Sequence, residues 1–125
     1  MQSKKVIGIT SKVLKMIFAA SKDTHPLEFA CVLRADEGVI TEVILVPGTI
    51  SSERYAILRR HNLPVDFSVV GSAHSHPTPN ATPSDADLNL FQNTGSVHII
   101  VGYPYNMNSW RAFSREGKEI QLQVF

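Results

Sequence analysis

Apolar and polar positions follow two different periods along this chain. Between Ser11 and Lys22, the residues Val13, Leu14, Ile17 and Phe18 recur at helical spacing with Lys12, Lys15 and Lys22 among them. That stripe predicts an amphipathic helix, started by a Thr10 or Ser11 cap and ended by His25-Pro26. Leu27–Leu33 is almost wholly apolar and predicts a buried strand. Val39–Val46 is rich in Val and Ile and predicts a second strand, hairpin-linked through Asp36-Glu37-Gly38. Pro47-Gly48 breaks that strand, and Glu53–Arg60 fits strand or helix equally. Phe67–His74 predicts a strand, and His76–Pro83, with its three prolines, a stiff loop. Thr82–Gln92 predicts a helix ending near Thr94-Gly95, and Val97–Tyr103 a strand. After a turn at Asn106–Asn108, Trp110–Arg115 and Glu119–Phe125 predict a last hairpin around Glu116-Gly117-Lys118. The expected fold class is α/β in the mixed, α+β sense: helices on a largely hairpin-connected sheet, in a single domain over residues 1–125.

Composition narrows the functions available. At 125 residues and 43% hydrophobic, the chain can bury a core without disulfides. Twelve Lys+Arg against eleven Asp+Glu leave a net charge of +1, without the basic surplus that nonspecific nucleic-acid binding needs. The single cysteine, Cys31, excludes an intrachain disulfide and a multi-cysteine zinc site, and an unpaired thiol suits a reducing compartment. No run approaches the ~20 apolar residues of a membrane span. The opening residues turn polar again at Thr10-Ser11-Lys12, unlike a signal peptide. The expectation is a soluble, cytoplasmic protein with no nucleic-acid or membrane partner.

The chemistry concentrates in His74-Ser75-His76-Pro77, followed by Ser84 and Asp87. In an extended chain His74 and His76 point to the same side. They are either two solvated imidazoles at a strand end or two ligands facing one metal. Thr82-Pro83-Ser84-Asp85 offers a helix start with Thr82 as N-cap and Pro83 at the first helical position. On that assignment Ser84 and Asp87 are free and share a face with Leu88 and Phe91, which aims Asp87 inward. A lone inward carboxylate is costly, and a metal at the His74/His76 strand end would compensate it. Two histidines, one carboxylate and an open fourth position form a catalytic zinc set. Glu28 is the second anomaly, a charge within the most apolar run. It is either a residue at an exposed strand start or a general base beside the metal site.

The spacing of Glu28, His74-Ser75-His76-Pro77, Ser84 and Asp87 resembles the JAMM (MPN+) motif of zinc-dependent isopeptidases. That family includes the deubiquitinases of the proteasome lid and the COP9 signalosome, with single-domain archaeal and bacterial relatives. Tyr103-Pro104-Tyr105 and Ser109-Trp110 are similar to archaeal members. The resemblance implies a curved mixed sheet flanked by helices, in a deaminase-like layout. It implies one Zn2+ per chain on His74, His76 and Asp87, Glu28 as the acid–base residue, and Ser84 as a hydrogen-bond donor to the developing oxyanion. It implies hydrolysis of the isopeptide bond between a ubiquitin-like small modifier and a target lysine. The segments Gly48–Phe67 and Tyr103–Trp110 would hold those partners, and the family leaves room for a homodimer. Two other readings compete: a processing peptidase acting on a sulfur-carrier precursor, and a non-catalytic scaffold. A nucleobase deaminase would need Cys-x-x-Cys ligands, which one cysteine cannot supply.

Of the remaining candidates, Cys31 with His25 invites a thiol-protease reading, but its apolar surroundings point to an inert thiol. His98 is expected in the core or at a sheet edge. His61, Arg59 and Arg60 are expected on a solvated loop. Phe18, Phe29, Phe91 and Trp110 read as core.

Overall fold

The structure, a computed structural model, describes residues 5–45 and 68–125. The expectations for 53–60, for His61, Arg59 and Arg60, and for the partner segment 48–67 lie outside the described residues. After a short strand β1 (Gly8–Ile9), helix α1 spans Ser11–Thr24. Thr10 caps it, its Oγ1 accepting the Val13 N–H at 3.1 Å, and the stripe Val13, Leu14, Ile17 and Phe18 is buried. His25 ends the helix, its N–H donating to the Ser21 carbonyl.

Strands β2 (Ala30–Asp36) and β3 (Val39–Leu45) form the expected hairpin. Its two-residue turn, Glu37-Gly38, has φ of 51° and 82°, the left-handed pair that matches strand twist. Strand β2 starts three residues after Leu27. The Leu27 N–H is spent on the Thr24 carbonyl, so the chain is still turning away from α1 there, and Leu27 is exposed. Strand β4 (Val69–His76), helix α2 (Asp85–Asn93) and strand β5 (Val97–Gly102) make a parallel crossover. Strands β6 (Trp110–Ser114), β7 (Glu119–Ile120) and β8 (Gln123–Val124) follow.

Among the described residues, eight strands form one sheet in the order β7-β6-β5-β4-β2-β3-β1-β8. This corrects the last hairpin. Residues 119–125 are two strands, one pairing with β6 and the other crossing to β1 at the opposite edge. The Gln123 and Phe125 N–H groups donate to the Ile7 and Ile9 carbonyls at 3.0 and 2.9 Å. Three residue steps span at most about 10 Å, so the two edges lie close together and the sheet is curled.

Side chains alternate between its faces. Toward α1 point Cys31, Leu33, Ala73, Val97, Ile99, Val101 and Ala112, which join the α1 stripe in the main core. On the other face lie Ala30 and Val32, packed with Leu90, and Ile100 and Phe113, packed with Phe91. Leu90 and Phe91 come from α2, so the two helices cover opposite faces. The α2 face also carries Ser72, His74, His98 and the end of β4.

Candidate metal centre

Strand β4 runs out at His76, beneath the N-terminus of α2. His74 and His76 sit on the α2 face, and Ser75 between them points the other way. The proline-rich loop 77–83 is pinned over the end of β5, where the Tyr103 N–H donates to the His76 and Thr78 carbonyls at 3.2 and 3.0 Å. That closeness requires glycine at 102, where a Cβ would lie 2.9 Å from the Thr78 carbonyl oxygen and 3.1 Å from that of Pro79.

Helix α2 starts later than the sequence suggested. Ser84, and not Thr82, is its N-cap. The Ser84 Oγ accepts the Asp87 N–H at 3.2 Å, and Asp87 Oδ2 accepts the Ser84 N–H at 2.9 Å. This reciprocal box satisfies two helix-end donors at once. The Thr82 N–H is instead turned back onto Asn80 Oδ1 at 2.9 Å. Ser84 is therefore not the free side chain the Thr82 assignment implied. Its cap uses an oxygen lone pair and leaves the hydroxyl proton available to donate.

The box also aims Asp87. Its side chain is 1% exposed, with Oδ1 lying 3.0 Å from His74 Nε2 and Oδ2 3.1 Å from His76 Nε2. The two Nε2 atoms are 3.2 Å apart. These separations, two of which run to different oxygens of Asp87, are a little below the edge, about 3.3–3.4 Å, of a tetrahedron of N and O ligands about 2.0–2.1 Å from one ion, so the three side chains converge on one spot. Two further observations fit a cation there. Asp87 Oδ1 is buried and takes no hydrogen bond of adequate geometry. His76 Nδ1 lies 2.8 Å from the Asn80 carbonyl, which can only accept. The Nδ1 must therefore carry the proton, and in the neutral ring Nε2 presents a lone pair to the triangle. Among the described residues, His74, His76 and Asp87 are the group able to hold a metal ion.

Electrostatics agree. Burial pushes the Asp87 carboxyl up, but the adjacent His74 and His76 imidazoles outweigh it and hold the group well below the usual carboxylate range. Burial pushes His76 down, but Asp87, the Asn80 carbonyl and the Glu28 charge together raise it. Without an ion, the site attracts protons to the positions a cation would occupy.

Glu28 lies two residues before β2, half-buried. The β2/β4 pairing runs Cys31↔Ala73, Ala30↔His74. The Ser75 N–H donates to the Phe29 carbonyl at 2.9 Å, and the Phe29 N–H to Ser75 Oγ at 2.8 Å. Continuing that register sets Glu28 level with His76, on which its charge acts. Glu28 is thus neither within the buried strand nor at a solvated start.

Cys31 is fully buried and burial pushes its thiol up to about 12, so it is no nucleophile at neutral pH. Of the partner segments, 103–110 continues directly from Gly102, which pairs with His76. Phe18 and Phe91 are buried, and Phe29 and Trp110 pack half-buried on the main core, as expected. Sequence reasoning missed Asn80 and Ser75. Asn80 acts through its backbone carbonyl, which no residue type advertises. Ser75 left a readable signal, a small polar residue inside a buried strand.

Comparison with known proteins places this arrangement. A sequence profile of the prokaryotic homologs of the JAB domain matches residues 10–113. The chain belongs to the JAB-domain family. It is 41% identical over 133 residues to a probable metalloprotease of Haloferax volcanii, covering 98% of this chain and 82% of that one. A JAB1/MPN domain protein from Archaeoglobus fulgidus superposes with a TM-score of 0.78 at 39% identity, covering 94% and 98% of the two chains. A solved structure described as JAMM, a metalloprotease-like zinc site in the proteasome and signalosome, gives 0.77 at 36% identity over 97% and 99%. The mixed α+β fold with its curled sheet is thus that of JAB1/MPN proteins. The metalloprotease relative and the JAMM zinc-site fold support a metal-dependent hydrolase, and His74, His76 and Asp87 are a group that could hold its metal ion.

Proposed function

We propose that this chain is a zinc-dependent isopeptidase that frees a ubiquitin-like modifier from the lysine side chain of its target. The observation that carries the reading is the His74–His76–Asp87 triangle with Glu28 level with His76. Two imidazoles and one carboxylate suit zinc, and three protein ligands leave a fourth position open, as catalytic sites do. Bound there, zinc supplies Lewis acidity and makes water acidic near neutral pH. His76 is fixed in its ligating tautomer by Asn80, and Asp87 is fixed by the Ser84 cap. Glu28 takes a proton from the attacking water and returns it to the departing lysine amine. The Ser84 hydroxyl donates to the oxygen that gains charge at the scissile carbonyl. Residues 103–110, next to the end of β5, border the extended tail of the modifier.

The test uses a ubiquitin-fold protein ending in Gly-Gly, joined through an isopeptide bond to the lysine of a labelled peptide. A second substrate carries a short C-terminal extension in its place. The proposal expects cleavage of the isopeptide substrate, loss of cleavage with a chelator, and recovery on adding zinc. Glu28→Gln should keep zinc, bind the conjugate and turn over ~10²–10⁴-fold more slowly. Preferential cleavage of the extension would favour the precursor-processing role. Chelator-resistant cleavage, or Glu28→Gln within twofold of wild type, would overturn the reading.

A further inference from the structure

Glu28 belongs to no helix or strand, so something must hold its carboxylate in place. On its C-terminal side the holder is the Phe29–Ser75 pair described above. On its N-terminal side, three residues away, is a cluster the chemistry does not use. His25 Nδ1 and the Tyr105 hydroxyl are hydrogen-bonded at 2.7 Å. The rings of His25 and Tyr103 lie 5.0 Å apart, those of His25 and Tyr105 5.6 Å, and those of Tyr103 and Tyr105 5.7 Å. The cluster joins the end of α1 to the segment that follows β5.

Tyr105 is the fixed member. It is 2% exposed and packs in the main core, with its N–H on the Gly102 carbonyl at 2.8 Å. Its φ is 64°, a left-handed conformation that a bulky residue keeps only where the surroundings determine it, commonly near functional sites. Burial foremost, then Tyr103 and the Glu28 charge, push its phenol up. His25 is exposed at the end of α1, and its side chain joins this turn to the core through the Tyr105 hydroxyl and the two tyrosine rings.

We infer that Tyr105, acting through His25, is a positioning residue for Glu28: the buried phenol anchors the turn 25–28 from one side while Ser75 anchors it from the other. The inference rests on the hydrolase reading above. A displacement of about 1 Å at a catalytic group can cost ~10²-fold, so a hydroxyl remote from the reacting atoms can govern the rate.

Tyr105→Phe keeps the buried ring and deletes the hydroxyl, and His25→Ala deletes the other partner. His25→Asn keeps a polar group near the Nδ1 position. The isopeptide substrate above, zinc content, melting temperature and amide hydrogen exchange of the metal-free protein are measured on each. Tyr105→Phe and His25→Ala should lower kcat about tenfold or more with KM within twofold and zinc unchanged. The Leu27 and Phe29 amides should exchange faster, while those of Val32 and Ile99 stay at wild-type rates. His25→Asn should recover part of the rate. The inference is overturned if Tyr105→Phe leaves kcat within twofold of wild type, if the loss falls on KM, or if Leu27 and Phe29 exchange as in wild type. Glu28→Gln separates the two ideas. Normal turnover there defeats the hydrolase reading itself, whereas a slow Glu28→Gln beside a normal Tyr105→Phe defeats only the positioning role.

Discussion

His98 shows how far one buried residue can be read. Its ring stacks on Phe91 with centroids 4.3 Å apart and planes 9° from parallel. Nε2 donates to the Gly95 carbonyl at 2.9 Å, so Nδ1 accepts from the Ser72 hydroxyl at 2.8 Å. Both nitrogens are satisfied in the neutral ring, and burial lowers its pKa from 6.5 to about 4. Below 6.5 the unfolded chain binds a proton here that the folded one refuses, so the contribution is full above 6.5 and is lost as pH falls toward 4. At about 1.36 kcal/mol per unit, roughly 2 kcal/mol goes between pH 7 and pH 5. Urea unfolding of the metal-free protein at both pH values, for wild type and His98→Gln, should show that extra loss in wild type alone; equal losses would contradict it. The apolar neighbours on both sides were enough to expect a histidine in the core or at a sheet edge, and the structure puts it in the core. It could not show the tautomer, which depends on a carbonyl from a loop and a serine from the neighbouring strand.

Elements were legible where periodicity and caps agree. Helix α1 has its stripe, its Thr10 cap and its stop at His25, and it folds within two residues of expectation. The second helix had two overlapping start signals, and the reciprocal pair Ser84/Asp87 prevailed over Thr82. The consequence is that one serine caps the helix and faces the site. Ser84→Ala should cost ~1 kcal/mol, or about 4 °C in melting temperature, and slow single-turnover cleavage by ~10²–10³. Glycine is nearly as good a cap, so Ser84→Gly should regain most of the stability and none of the rate. Normal turnover in both variants would leave Ser84 a cap alone. Strand ends were less legible, since β2 begins only where α1's last turn releases the backbone. The split of residues 119–125 was not legible at all. Nothing in that short stretch encodes that the far edge of the sheet has curled round to meet it.

At the scale of the molecule, fold and site are built on separate faces. Helix α1 and the strand positions facing it form the main core, while the three donor residues lie between β4 and α2 on the other side. The local motif made the donor set readable because its members come from one strand end and one helix start. Glu28 arrives from a distant segment, two residues ahead of β2, and no local spacing in the sequence links it to His76. This division predicts that chelation abolishes cleavage while the far-UV circular dichroism stays near native, unlike small zinc fingers whose folding energy is their binding energy. A coil spectrum for the metal-free protein would contradict it. The claim on which all else depends is that His74, His76 and Asp87 hold one zinc ion, and metal analysis of the purified protein beside His74→Ala, His76→Ala and Asp87→Ala tests it most directly. Wild type should carry one zinc per chain and each folded variant little, whereas stoichiometric zinc retained in all three would contradict the assignment.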